Sequence, residues 1–400
     1  MSWSAVKLGD VCIDGGIQTG PFGSQLHQSD YSDEGTPVVM PVDLVDGGIS
    51  TERIARVSDD HVQRLSRYML EPGDVVYARR GDVGRCSRVT ESEKGWLCGT
   101  GCLRLRADSN LVDKTFLYYA LSNPSVVGWV RNHAVGATMP NLNTTILGDV
   151  PLYIPDNLED QRRIASILMA YDNLIENNRK QISLLEEAAQ RLYKEWFVDL
   201  RFPGHESTGI SEGLPNGWTE AMLKDIADVV MGQSPKSEYY NDAGEGLPFH
   251  QGVSSFGLRF VRDETYTTSV TRVGKAGSIL FSVRAPVGRL NYTKNEIVLG
   301  RGLAAMNHRQ GLQSYLYYML KERFFKEDMI GNGSIFASIS KGDLLAQKFV
   351  VPDGAIAERF NTLCRPIDKQ IERCDDAIKA ATEARDRLLP KLMSGEIEAL

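Results

Sequence analysis

Four hundred residues, 42% hydrophobic and 24% charged, make an ordinary globular composition with room for two or three domains. There is no apolar run of the roughly 18 residues a membrane helix needs, and the opening MSWSAVKLGD lacks the charged-then-apolar pattern of an export signal, so a cytoplasmic protein is expected. The net charge of −7 argues weakly against nucleic acid, and six cysteines without a CxxC pair read as free thiols in a reducing compartment.

In chain order, residues 1–155 read as a first α+β domain. Gly-rich turns (DGG, EPGD, RRGD) separate short apolar runs such as TPVVMPV and DVVYA, which predict strands, and TFLYYALSNP predicts a short helix. Residues 156–200 change texture. From Leu158 to Phe197 there is no Gly or Pro. Apolar residues fall at Ile164, Leu168, Tyr171, Ile175, Ile182, Leu185, Ala189, Leu192 and Trp196, with Asn178 filling one polar slot. This alternation of 4 and 3 is a heptad seam, and about 40 residues at about 1.5 Å each make a rod of roughly 60 Å. Asp156 and Asn157 are the N-cap candidates.

Residues 201–215 form a Gly/Pro/Ser-rich linker whose polar middle is expected to be mobile. Residues 216–353 form a second α+β domain, with GSILFSV and NEIVLG as strands and SYLYYMLKERFF as a helix. Residues 354–400 repeat the seam at Phe360, Cys364, Ile367, Ile371, Cys374, Ile378, Ala381, Leu388 and Leu392, with Arg385 in one slot. Pro366 and Pro390 predict a cleaner helix over about 367–389, broken at each end. Each seam alone is too narrow to be stable in water, so the two are expected to pack antiparallel.

The two domains are copies. PGDVVYARRGDVGR at 72–85 matches AGSILFSVRAPVGR at 276–289, with Arg80 opposite Arg284, Gly84 opposite Gly288 and Arg85 opposite Arg289. GATMPNLNTTILGDVPLYIPD at 136–156 matches GSIFASISKGDLLAQKFVVPD at 333–353. Two unequal copies suit a target with two unequal halves. The acidic total also hides basic stretches at equivalent places. Residues 79–106 hold seven Lys/Arg against three acidic residues, and 271–301 hold six against Glu296 alone. Local basic patches of this kind contact phosphates, because a field is felt only within about 10 Å. A plain solvated face is the competing reading.

The usual enzymatic parts are missing. No Glu is followed two residues later by Lys, as a common nuclease site requires, and no phosphate loop occurs. The G-x-G pairs at 99–101, 244–246, 300–302 and 331–333 lack a third glycine and read as turns. There is no N-P-P-[YF] or D-P-P-[YF] motif of an adenine methyltransferase. A stand-alone nuclease or methyltransferase is therefore not expected.

The order of domain, DQRRIASILMAYDNLIENNRKQISLLEEAAQRLYKEWF helix, LPNGWTEAMLKDIADVVMGQSP restart, second domain and second helix resembles the specificity subunit of type I restriction–modification systems along the whole chain. The second copy departs from the pattern in having Glu358 where the first has Gln161, and in Pro366. The resemblance implies two target recognition domains, each binding one half of an asymmetric bipartite site in double-stranded DNA. It implies an antiparallel coiled coil that fixes the gap between the halves. It also implies two modification subunits carrying S-adenosylmethionine, restriction subunits using ATP and Mg, and no active site or cofactor in this chain. A structural adaptor spacing two protein-binding domains is the alternative.

Base readers are expected among Arg, Asn and Gln on loops. The candidates are Gln18, Thr19 and Ser24 near the start of the first domain, then Arg79, Arg80 and Arg85, then Thr138, Asn141 and Asn143. Their counterparts are Gln233, with Ser234, and Lys236, then Arg284 and Arg289, then Ser334 and Lys341. For each, a turn or a surface charge is the competing role.

Overall fold

The computed structural model describes residues 1–399 except 46–47, 137–139 and 325–337. The chain divides into two compact units, Met1–Glu176 with Ala380–Leu400, and Asn177–Lys379. Both boundaries fall inside the long helices, so each unit contains a stretch of both.

In the first unit an antiparallel sheet runs in the order Cys12–Thr19, Cys102–Ala107, Val75–Ala78, Cys86–Arg88. A second sheet runs Leu97–Cys98, Thr36–Val39, Ala55–Val57, Tyr31–Ser32, its first pair parallel. Trp3–Lys7 pairs with Pro151–Pro155. The second unit repeats this plan. One sheet runs Ala227–Met231, Leu303–His308, Ile279–Ser282, Leu290–Tyr292. Another places Ile297–Leu299 parallel to Leu247–His250, and Thr219–Met222 pairs with Lys348–Val351. Val75–Ala78 and Ile279–Ser282 are buried along their whole length, which is why their sequences are apolar apart from the final Ser282. Lys114–Ser122 and Gln313–Phe324 are the helices packed against these sheets.

The first long helix spans Leu158–Tyr193, 36 residues or about 54 Å. Asn157 caps it, its Oδ1 accepting the Asp160 N–H at 2.8 Å. The second spans Gly354–Met393 without interruption, contrary to the breaks expected at Pro366 and Pro390. Each proline removes one N–H, which orphans the carbonyls of Thr362 and Asp386. Both residues are exposed, so the cost of the missing bonds is that of a solvent-facing rather than a buried carbonyl.

The helices pair antiparallel in each unit. In the first, Ile164 and Leu168 share a core with Leu389 and Leu392, and Arg385 donates to Asp172 at 2.8 Å. In the second, Ile182 packs on Ile371 and Cys374, while Ala189 and Tyr193 share a core with Phe360 and Cys364. The linker is folded rather than loose. Phe202 is buried against Trp218, ring centroids 5.0 Å apart, and Ile210–Ser211 forms a hairpin with Leu214–Pro215.

Candidate nucleic-acid interface

The Arg loop and the loop after the short helices are joined in both units. Arg80 forms an isolated antiparallel bridge with Asn141, and Arg284 forms the same bridge with Ser338. Beside it, Leu142 donates its N–H to the Arg79 carbonyl at 2.9 Å, and Ile339 donates to the Val283 carbonyl at 2.9 Å. These are the partners that the repeat alignment pairs. Thus two of the three candidate loop groups form one surface in each unit.

Within that surface the side chains divide by role. Arg79 is buried, its Nε donating to Asn141 Oδ1 at 3.1 Å and the Leu142 carbonyl at 3.0 Å. Burial, and then the neighbouring Arg80 charge, push its pKa down. Its guanidinium also lies 5.6 Å from the Phe22 ring, which ties in the first candidate loop. Arg79 is therefore a strut. Arg80 is exposed, and its side chain makes no hydrogen bond or ion pair among the described residues. Arg85 is held by Asp82 at 2.6 Å and by the Leu44 carbonyl at 3.2 Å. Asn143 caps the helix Thr144–Gly148 by accepting the Ile146 N–H at 2.7 Å, and Ser340 caps Lys341–Leu345 in the same way. Gln18 and Thr19 are half-buried strand residues opposite Arg104 and Leu103. Ser24, Arg284 and Lys341 are exposed, and Arg289 is half-buried. Thr138 and Ser334 lie outside the described residues.

The basic stretches are consequently less free than their composition suggests. Arg106 forks onto Asp74 with bonds of 2.8 and 2.7 Å, and Arg104, buried, donates to the carbonyls of Arg67 and Gly15. Lys294 is held by Asp375 at 2.7 Å and Asp376 at 2.6 Å. These cations support the fold.

In the second unit Gln233 and Lys236 line an open cleft of about 710 Å³ together with Gln251 and Arg301. The sequence reading did not select Gln251 or Arg301. Arg301 was legible as the charged residue inside a G-x-G, a pattern read there only as a turn. The glycines do form a turn, and they also permit close approach. A Cβ on Gly300 would lie 2.6 Å from the Gln251 Cα, and one on Gly302 would lie 2.5 Å from the Gln251 carbonyl oxygen.

The family model for the type I restriction modification DNA specificity domain matches residues 2–187 and 215–373. The chain belongs to that family. It is similar to a protein named as the specificity subunit of the type I restriction enzyme MjaX of Methanocaldococcus jannaschii, 30% identical over 91% of this chain and 87% of that one. It is also similar to the MjaIX specificity subunit of the same organism, 23% identical over 99% of this chain and 93% of that one. In fold it resembles the crystal structure of a type I restriction–modification S subunit from M. genitalium. That likeness has a TM-score of 0.59 at 16% identity, and covers 98% of this chain and 96% of that one.

Proposed function

We propose that this chain is the DNA sequence-specificity subunit of a type I restriction–modification complex, with each domain binding one half of an asymmetric bipartite site. The observation that carries this is the doubled bridge, Arg80 to Asn141 and Arg284 to Ser338, on one scaffold with different surrounding side chains. A repeated scaffold supplies repeated positioning, and the differing side chains supply two different readouts. Arg80, Arg284, Gln233 and Lys236 are the foremost candidates for DNA contact. Ser24 and Lys341 are exposed and remain candidates, whereas Arg79, Asn141 and Asn143 act by holding the loops.

The two long helices set the gap between half-sites and dock two modification subunits, which carry S-adenosylmethionine. Restriction subunits using ATP and Mg complete the cytoplasmic complex, and this chain performs no reaction of its own. Among the described residues no helix is long and apolar enough to cross a membrane. Family membership sets the adaptor reading aside. The test is methylation mapping of genomic DNA from cells carrying this chain with its modification subunit, against cells lacking this chain. A bipartite methylated motif with a fixed gap, lost on deletion, is the expected result. An unchanged pattern with the modification subunit expressed would overturn the proposal.

A further inference from the structure

In the second unit, two side chains and one backbone N–H from three separate segments form one directional relay. Ser234 Oγ accepts the backbone N–H of Arg301 at 3.1 Å. Its hydroxyl proton is then free to go to Gln251 Oε1, at 2.8 Å. This fixes the amide of Gln251, because the oxygen is engaged and the NH₂ is left to face outward as a donor. Gln251 and Arg301 are both exposed.

The backbone beneath them is pinned as well. Gly300 donates to the His250 carbonyl at 2.8 Å and Gly302 donates to the Gln251 carbonyl at 3.1 Å. His250 is 1% exposed, its ring held between Ser255 Oγ at 2.8 Å and Asp263 Oδ1 at 2.9 Å. A buried ring fastened on both nitrogens lets the following residue, Gln251, keep a fixed position. The result is a fixed backbone that carries two exposed donor groups side by side, the guanidinium of Arg301 and the outward NH₂ of Gln251.

The first unit holds the equivalent positions with different chemistry. Gly99 donates to the Val39 carbonyl at 2.9 Å as Gly300 does to His250, and Gly20 donates to Cys102 as Gly232 does to Leu303. By that register Ser234, Gln251 and Arg301 correspond to Phe22, Met40 and Thr100. The same scaffold point is a donor pair in one domain and an apolar group with a hydroxyl in the other.

We infer that Arg301 and Gln251 are specificity-determining residues of the second domain, and that they read an acceptor-rich base edge, a guanine, in its half-site. Guanine presents O6 and N7 as adjacent major-groove acceptors and is the natural partner of an arginine, and the outward NH₂ of Gln251, whose oxygen is already engaged by Ser234, adds a further donor beside it. The inference rests on the proposed function and deepens it.

The experiment is methylation mapping of the full chain co-expressed with its modification subunit, as wild type, Arg301→Ala and Gln251→Glu. Wild type is expected to give a bipartite motif. In Arg301→Ala one half should lose discrimination at a guanine by about 5- to 150-fold, the range for one bidentate contact, with the other half and the gap unchanged. The retained half-site also shows that the variant is folded. Gln251→Glu, which exchanges the donor for an acceptor, should alter preference at the same position or its neighbour. The inference is overturned if no guanine position changes, or if both halves weaken together as loss of a phosphate contact or of folding would produce. A wild-type motif with no guanine in one half, that half being the one altered by Gln251→Glu, also overturns it. Absence of any bipartite motif in wild type would instead bring down the proposed function, and the inference with it.

Discussion

Glu186 of the first long helix and Asp368 of the second share one buried guanidinium. Arg259 donates to Glu186 Oε1 at 3.0 Å through Nη1 and to Asp368 Oδ1 at 2.8 Å through Nη2. Arg259 is 1% exposed, and its Cζ lies 3.4 Å from the Tyr317 ring centroid. Lys321 adds a second cation to Glu186 at 2.8 Å. One residue of the recognition domain thus binds both helices within the second unit.

Removing that residue leaves two carboxylates in a poorly hydrated site. Arg259→Met should cost about 3–5 kcal/mol, the typical penalty for breaking a buried ion pair from one side. Arg259→Lys should recover little, since an ammonium cannot fork between two carboxylates and stack on a tyrosine. Urea unfolding of the full chain checks both, and a loss under about 1 kcal/mol in the Met variant would refute the arrangement.

Arg385 occupies a seam position because Asp172 is there to receive it. Asp172 Oδ1 accepts from Arg385 at 2.8 Å and Oδ2 accepts the Tyr119 hydroxyl at 2.5 Å. Arg385→Leu and Asp172→Leu should each destabilise the chain. The double variant should be more stable than the sum of the two losses predicts, because a paired apolar replacement leaves no uncompensated charge. Additive losses in a double-mutant cycle would show that the two side chains are not coupled.

Adjacent arginines should separate cleanly in experiment. Arg79→Ala should lower the unfolding midpoint through its lost bonds to Asn141 and Leu142. Arg80→Ala should leave stability within about 0.5 kcal/mol, as exposed substitutions do. If Arg80 meets a phosphate, its loss should reduce the slope of log affinity against log salt by about 1 in the assembled methyltransferase. Reversed behaviour of the two variants would mean that the roles are misassigned.

Heptads added to both helices, next to Glu176 and to Ala380, should lengthen the helix pair by about 10 Å. That equals about three base pairs at about 3.4 Å each. The mapped motif should keep both half-sites and gain about three positions of gap. A gap of unchanged length would remove the helices from that role.

His308 should make stability depend on pH in a defined window. Burial of its ring pushes its pKa down to about 4. Its Nδ1 accepts the Gln310 N–H at 3.1 Å, which requires a neutral ring. In the unfolded chain the group titrates near 6.5. Between those values only the unfolded state binds the proton, so stability is fully present above about pH 6.5 and is lost as pH falls toward 4. Denaturation of His308→Gln alongside wild type at several pH values isolates this group. The difference between the two should shift by no more than about 3 kcal/mol across the window, and a flat difference would show that the site is hydrated.

The repeat was legible because the alignment that pairs residue 80 with 284 and 141 with 338 also pairs their backbones. The helices were legible because a heptad seam needs only sequence spacing: Ile164, Leu168, Ile182, Phe360, Ile371 and Leu392 are all buried. The prolines misled, since a helix held by its packed face tolerates a missing N–H where the orphaned carbonyl faces solvent. The basic stretches misled in the opposite direction. Arg79, Arg104, Arg106 and Lys294 look like phosphate contacts in a list of charges, yet each is committed to a carbonyl or carboxylate distant in sequence.

By itself, then, the sequence determined the doubled plan, the two α+β domains and the antiparallel helices, because periodicity and repetition are local properties of a chain. Only the tertiary structure decided which cations are struts and which face outward, and that Ser234, Gln251 and Arg301 meet. Such roles depend on partners 17 to 67 residues away, and on a backbone approach that only two flanking glycines allow.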